Sequence, residues 1–194
     1  DSQRAGAEHD AMAAMYAQLG VDVHLVAPAE QPKPNQMFCA DLMFATPEGV
    51  ILARPASTVR AGEERYVARR LADIGVPIIR SVSGTGTFEG ADAMWLDEHT
   101  VVIGLGLRTN AEGARQVSEV LRAMAVETII VDMPYGTMHL MGMFRTVDRD
   151  LSIAWPRRTP HRLVEALIER GSQVAFLPQV NDQEMNQALN FVTL

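Results

Sequence analysis

Short apolar runs recur along the chain in a fixed order from Phe38 onward: two that flank a tight turn, a stretch with helical apolar spacing, and a third run after it. In the first block the pattern predicts strands over 41–46 and 50–53 around Pro47-Glu48-Gly49, a helix over 62–74 ended by Gly75, and a strand over 76–79. In the second it predicts strands over 93–96 and 100–103 around Asp97-Glu98-His99, a helix capped by Asn110 and running to about Met124, and a β-branched strand over 128–131. The third block repeats the scheme. Strands over 140–147 and 151–154 flank Asp148-Arg149-Asp150, Thr159 and Pro160 open a helix that Gly171 stops, and a strand covers 173–177.

The turns begin at Pro47, Asp97 and Asp148, 50 and 51 residues apart. A period in this range marks repeated supersecondary units that cannot bury their apolar faces alone. Residues 2–19 with 21–26 read as the helix and last strand of an earlier unit, and 190–194 as the first strand of a later one. The expected fold is an α/β propeller of strand-strand-helix-strand units forming an incomplete ring, with hairpins lining a central axis and helices outside. It is one partial domain: a half unit over 1–37, units over 38–87, 88–138 and 139–189, and the start of another over 190–194. The chain begins without a methionine, and truncation at both ends is expected. An open ring exposes strand edges, so a homo-oligomer formed through those edges is expected as well.

Composition narrows the partners. At 194 residues and 47% hydrophobic the chain can bury a core, and a formal net charge of -7 disfavours nucleic acid, whose binding needs clustered cations to release counterions. No run approaches the ~20 apolar residues that would span a membrane, and a lone cysteine, Cys39, excludes an internal disulfide framework. The expectation is a cytoplasmic protein with a small cationic ligand.

In a radial repeat, residues at the head of each hairpin converge. Those heads are Phe38-Cys39-Ala40-Asp41, Phe88-Glu89-Gly90-Ala91-Asp92 and His139-Leu140-Met141-Gly142. Carboxylates beside one imidazole suit general acid/base work, and several of them suit a cation with many N–H donors, such as guanidinium. Taken singly, each acid is more often a cap or turn residue, and His139 alone is as often structural as catalytic. His9, His24, His99 and His161 read as surface or turn residues. No pair has metal-ligand spacing, so no metal and no cofactor are expected. Gly84-Thr85-Gly86 and Gly104-Leu105-Gly106 read as turns, because neither lies between a strand and a directly following helix as a phosphate loop requires. Cys39 is more often a small hydrophobe than a nucleophile.

Phe88-Glu89-Gly90-Ala91-Asp92, followed by Arg108-Thr109-Asn110, resembles the EGGD and RTN elements of the guanidino-group-modifying superfamily, which includes arginine deiminases, dimethylarginine dimethylaminohydrolases and glycine amidinotransferases. The resemblance spans nearly the whole chain and implies a five-unit α/β propeller. It implies that Glu89 and His139 are catalytic, that Asp41 grips the substrate guanidinium, that Arg60 and Arg108 hold its carboxylate, and that Asp92 belongs to the substrate site. The family attacks the guanidinium carbon with a cysteine thiolate, and its histidine protonates the departing amine and then activates water. That thiol is expected beyond Leu194, so this chain reads as a fragment of a hydrolase or amidinotransferase. A noncatalytic binding or assembly module of the same fold is the alternative. Ala40 replaces an arginine common in the family, and Met141 stands where deiminases and amidinotransferases carry a second guanidinium-binding aspartate, which leaves substituted guanidines or another amidine as the expected substrate.

Overall fold

The computed structural model describes residues 2–28, 31, 33–178 and 189–193. It divides into two units, Asp1–Gln31 and Pro32–Leu194. The first holds helix α1 (Ser2–Gln18), followed by 21–26, which joins no sheet. The alternating pattern there suits a strand, but among the described residues the segment is part of no ladder.

Among the described residues the second unit contains three sheets of three strands, each made the same way. In the first, β1 (Met43–Thr46) pairs antiparallel with β2 (Gly49–Leu52), helix α2 (Glu64–Asp73) follows, and β3 (Ile78–Ser81) returns parallel to β2. The second repeats this with β4 (Ala93–Asp97), β5 (Thr100–Leu105), α3 (Ala111–Ala123) and β6 (Glu127–Asp132). The third does so with β7 (Phe144–Asp148), β8 (Leu151–Ala154), α4 (His161–Glu169) and β9 (Gln173–Phe176). Residues 179–188 and Leu194 lie outside the described residues. Residues 190–193 form no ladder; Thr193 Oγ1 instead donates to Thr146 O at 2.7 Å, and Arg145 Nε donates to Leu189 O at 2.8 Å.

Packing explains why β5 reads as an unbroken apolar run rather than an alternating one. Val101 and Ile103 join Phe44 and Ile51 of the first sheet and Val117 and Leu121 of α3 in one core. Val102, pointing the other way, joins Phe144 and Leu163 in a second core with the third sheet and α4. Both faces are therefore covered, as in a buried parallel strand. Val101, Val102 and Ile103 are wholly buried, each worth about 1.5–3 kcal/mol of removed apolar surface. Phe44 and Trp95 stack across successive sheets with centroids 5.8 Å apart, and Trp95 Nε1 donates to Ala45 O at 3.1 Å.

Strand starts differ from the sequence expectation in an informative way. Residues expected to open β1 and β7 instead form tight 3-10 turns, Cys39–Asp41 and Leu140–Gly142, and a third such turn, Gly90–Asp92, precedes β4. A three-residue turn has no periodic signature in sequence. β3 begins at Ile78 because Pro77, which has no N–H, precedes it; Pro77 O accepts Val50 N–H at 2.8 Å. Gly104 lies inside β5 rather than in a turn.

The cap expected of Asn110 is present and does more than cap. Its Oδ1 accepts N–H groups of Gly113 (2.8 Å) and Thr87 (3.0 Å), while Nδ2 donates to Thr85 O at 2.8 Å. Loss of a cap costs about 1 kcal/mol and a stranded N–H about 1–3 kcal/mol. Asn110→Ala is thus expected to lower stability by about 2–4 kcal/mol, measured as a fall in the urea midpoint. A change below about 0.5 kcal/mol contradicts this account. Among the described residues no helix is long and apolar enough to cross a membrane.

Candidate active site

The 3-10 turns ahead of β1, β4 and β7 pack one against the next. Phe38, Glu89 and His139 are the residues immediately before the three turns, and Asp41, Asp92 and Gly142 are the last residues within them. Contacts between successive turns recur at nearly one repeat length: His139 to Glu89 spans 50 residues and Leu140 to Asp92 spans 48. Close approach at the first junction requires glycine, since a Cβ on Gly90 would lie 1.9 Å from Met43 O and 2.5 Å from Ala40 O. The chain just before it is fixed by a bridge, with Arg54 N–H donating to Phe88 O at 2.9 Å and Phe88 N–H to Arg54 O at 3.0 Å.

Glu89 is the hub. Fully buried, it meets His139 Nε2 through Oε2 at 2.8 Å and accepts Ala56 N–H on Oε1 at 3.3 Å. Arg108 Nη1 lies 3.5 Å from Oε1, and Arg60 Nη1 lies 3.7 Å from Oε2. Burial works against its charge, but the hydrogen bond and positive charge of His139, with Arg108 and Arg60, outweigh it and hold the carboxyl below its ordinary range. Burial likewise opposes charge on His139. The Glu89 hydrogen bond and the charges of Asp92, Asp41 and Glu89 prevail there and raise the imidazole above its usual value.

Asp41 lies beside this pair, with Oδ1 3.9 Å from His139 Nε2 and Oδ2 2.5 Å from Arg60 Nη1. Arg60 is nearly buried and all three of its nitrogens are engaged: Nε donates to Glu63 Oε2 at 2.8 Å, Nη1 to Asp41, and Nη2 to Asn35 O at 3.2 Å. Its guanidinium faces site acids. Arg108 is more open, with 23% of its side chain exposed. Asp92 is fully buried, and its oxygens accept Thr109 Oγ1–H at 2.6 Å and Leu140 N–H at 3.2 Å. Burial pushes its pKa up to about 6, with Glu89's charge adding to the rise, while the charge of His139 and the bonds from Thr109 and Leu140 oppose it. A carboxyl raised in the folded state contributes stability that is fully present below the ordinary value of 3.8 and is lost as pH rises through about 6.

All six residues singled out from sequence, Asp41, Arg60, Glu89, Asp92, Arg108 and His139, therefore meet in one connected cluster. Glu63 and Thr109 belong to it as well. Glu63 follows Arg60 at the i+3 spacing of ion pairs, and Thr109 sits inside the Arg108-Thr109-Asn110 stretch, so both carried a local signal. Met141 packs against the second apolar core. Cys39 is half-buried near Asp41, and burial followed by the Asp41 charge raises its pKa, with Arg60 opposing, so its thiol is kept protonated. His9, His24, His99 and His161 are exposed. Ligand atoms of Asp41, Glu89 and His139 lie within 4.8 Å of one another, a set able to hold a metal ion. Within that set Asp41 Oδ2 is already engaged by Arg60, and Glu89 Oε2 by His139 Nε2.

Residues 1–189 match the family model described as N,N dimethylarginine dimethylhydrolase, eukaryotic. The chain is 29% identical over 131 residues to the N(G),N(G)-dimethylarginine dimethylaminohydrolase of Pseudomonas aeruginosa, an alignment covering 68% of this chain and 51% of that protein. It is 27% identical over 129 residues to an arginine deiminase of Limosilactobacillus reuteri, covering 61% of this chain and 32% of that one. Its fold is similar to a crystal structure of a dimethylarginine dimethylaminohydrolase adduct with 4-chloro-2-hydroxymethylpyridine, with a TM-score of 0.81 at 23% identity over 100% of this chain and 73% of that one. The chain spans about half the length of the Pseudomonas protein. A family match over nearly every residue, on a fold shared with a solved member, makes this chain a member of the dimethylarginine dimethylaminohydrolase family of guanidino-modifying proteins.

Proposed function

We propose that this chain carries the acid/base and guanidinium-binding part of a cytoplasmic hydrolase that acts on the guanidinium group of arginine or a substituted arginine. The observation that carries the reading is the buried contact of His139 Nε2 with Glu89 Oε2 at 2.8 Å, beside Asp41 Oδ1 at 3.9 Å. An imidazole held charged by neighbouring carboxylates can give a proton to a departing amine and then, once neutral, take one from water. Glu89 orients the ring. Asp41 Oδ1 meets the substrate guanidinium, Asp41 Oδ2 being taken by Arg60, and Arg108 holds the substrate carboxylate. Arg60 reaches that carboxylate only by releasing Asp41. With Met141 turned to the core, one carboxylate oxygen faces the guanidinium, which suits a substituted group having fewer N–H donors.

Covalent attack on the guanidinium carbon, as the family resemblance implies, takes a thiolate. Cys39 is kept protonated, so the reading takes the nucleophile from a part of the protein beyond residues 1–194, as the coverage of its relatives allows. The same reading places the three sheets as successive units of an α/β propeller, with 38–87, 88–138 and 139–189 as its units and the ring incomplete within this chain. The recurrence of inter-sheet contacts at 50 residues supports it. Exposed strand edges would join copies into a homo-oligomer.

The test is citrulline formation by the whole protein from arginine, Nω-methylarginine and Nω,Nω-dimethylarginine. Citrulline is expected from a substituted arginine, falling by about 10²–10⁴-fold in His139→Asn. No citrulline from any of the three overturns the hydrolase reading and leaves a binding module.

A further inference from the structure

We propose that Asp92 and Thr109 form a buried strut that fixes Glu89, Arg108 and His139 relative to one another, which makes Asp92 a positioning residue and not a group that touches substrate. Both residues are fully buried, so neither side chain meets a ligand. Their bonds run to the backbone of Glu89 and to the residues that follow His139 and Arg108. Asp92 accepts the N–H of Leu140, the residue after His139, and the hydroxyl of Thr109, the residue after Arg108. Thr109 Oγ1 in turn accepts the N–H of Glu89 at 3.2 Å, and Asp92 N–H donates to Glu89 O at 2.9 Å. One carboxylate and one hydroxyl thereby hold three separate stretches of chain, including the two turns that flank Glu89 and His139.

The same repeat position serves differently in each unit. Asp41, last residue of the first turn, faces Arg60 and His139; Gly142, last of the third, has open space where a side chain would stand. Asp92 alone of the three points inward. Such a carboxylate is costly to bury, and it acts on His139 in two ways: through the Leu140 N–H it sets the ring's position, and through its charge it helps keep the imidazole protonated. The charged groups facing Asp92 are His139 and Glu89.

The effect on catalysis rests on the hydrolase reading, so the experiment includes a readout that needs no turnover. Asp92→Asn, Thr109→Val and Thr109→Ser are prepared in the whole protein. The His139 titration is followed by ¹⁵N NMR, the urea midpoint at pH 8, and kcat and KM with the substrate found above. Asp92→Asn is expected to fold, with a midpoint at pH 8 no lower than that of the parent because the ionised buried carboxyl is gone. Its His139 pKa is expected to fall, and kcat to drop by about 10–10²-fold with KM changed less than about 3-fold. Thr109→Val is expected to lose kcat similarly, and Thr109→Ser to restore it to within about 3-fold of the parent. Should Asp92→Asn fail to fold, the Thr109 pair decides. An unchanged His139 titration in Asp92→Asn, a rise in KM with kcat kept, or equal kcat in Thr109→Val and the parent overturns the strut. If no substrate is turned over, the hydrolase reading fails, and Thr109→Val, which keeps the Asp92 charge, decides the strut: a His139 titration unchanged from the parent overturns it.

Discussion

Glu89→Gln is expected to lower turnover by about 10²–10⁴-fold and to move the His139 titration downward. The substitution keeps the shape of the side chain and removes its charge. His139 then loses the partner 2.8 Å away that most favours its protonated form, and Arg108 and Arg60 lose the carboxylate they share. Removing one member of a buried ion pair typically costs about 3–5 kcal/mol, because the remaining charges stay buried without compensation. The pH dependence has a definite sign. Glu89 has a depressed pKa, so its contribution to stability is present above the ordinary value of 4.5 and is lost as pH falls through its lower, folded-state value. The gap in stability between parent and Glu89→Gln should therefore narrow on acidification, as read by urea midpoints from pH 8 down to pH 3. A gap that widens toward low pH, or a His139 titration that does not move, contradicts the hub role of Glu89.

Gly90→Ala is expected to be strongly damaging for so small a substitution. The added methyl would meet two backbone oxygens, Met43 O at 1.9 Å and Ala40 O at 2.5 Å, and backbone cannot rotate away as a side chain can. Overpacking of this kind costs about 3 kcal/mol or more, a large share of the ~5–15 kcal/mol that a domain has. The first and second sheets would part where Asp41 and Glu89 approach. Gly142→Ala is the control: a Cβ there meets nothing within 4 Å, and replacing glycine stabilises by about 0.4–1 kcal/mol where the backbone allows it. A urea midpoint for Gly90→Ala close to that of Gly142→Ala would show that the junction yields more easily than these distances imply.

The elements legible in the sequence are those whose own pattern decides them. α3 was marked by the Asn110 cap and helical spacing, and β6 by its β-branched run. The tight turns at Cys39–Asp41, Gly90–Asp92 and Leu140–Gly142 were not, since three residues are too few for a period and the turn is fixed by the neighbouring unit. Residues 21–26 and 190–193 show the converse, a strand-like pattern without a ladder. For the site, the repeat of about fifty residues and the EGGD-like and RTN-like stretches indicated which side chains would meet. They could not indicate which way each points. Asp41 and Asp92 look equivalent in the repeat, yet one borders His139 and the other is sealed inside, and only packing distinguishes them. Arg60 was visible as a cation, but its engagement with Glu63, Asp41 and Asn35 O depends on contacts up to 25 residues away.

Because Glu89 and His139 come from segments 50 residues apart, order of synthesis bears on how the acids are kept safe. Domains emerging from the ribosome gain structure from the N-terminal side first. Asp41 and Glu89 would then come together before His139 has been made. Arg60 and Arg108, both encoded ahead of His139 and both within 3.7 Å of Glu89, can balance the two acids in the nascent chain until the imidazole arrives.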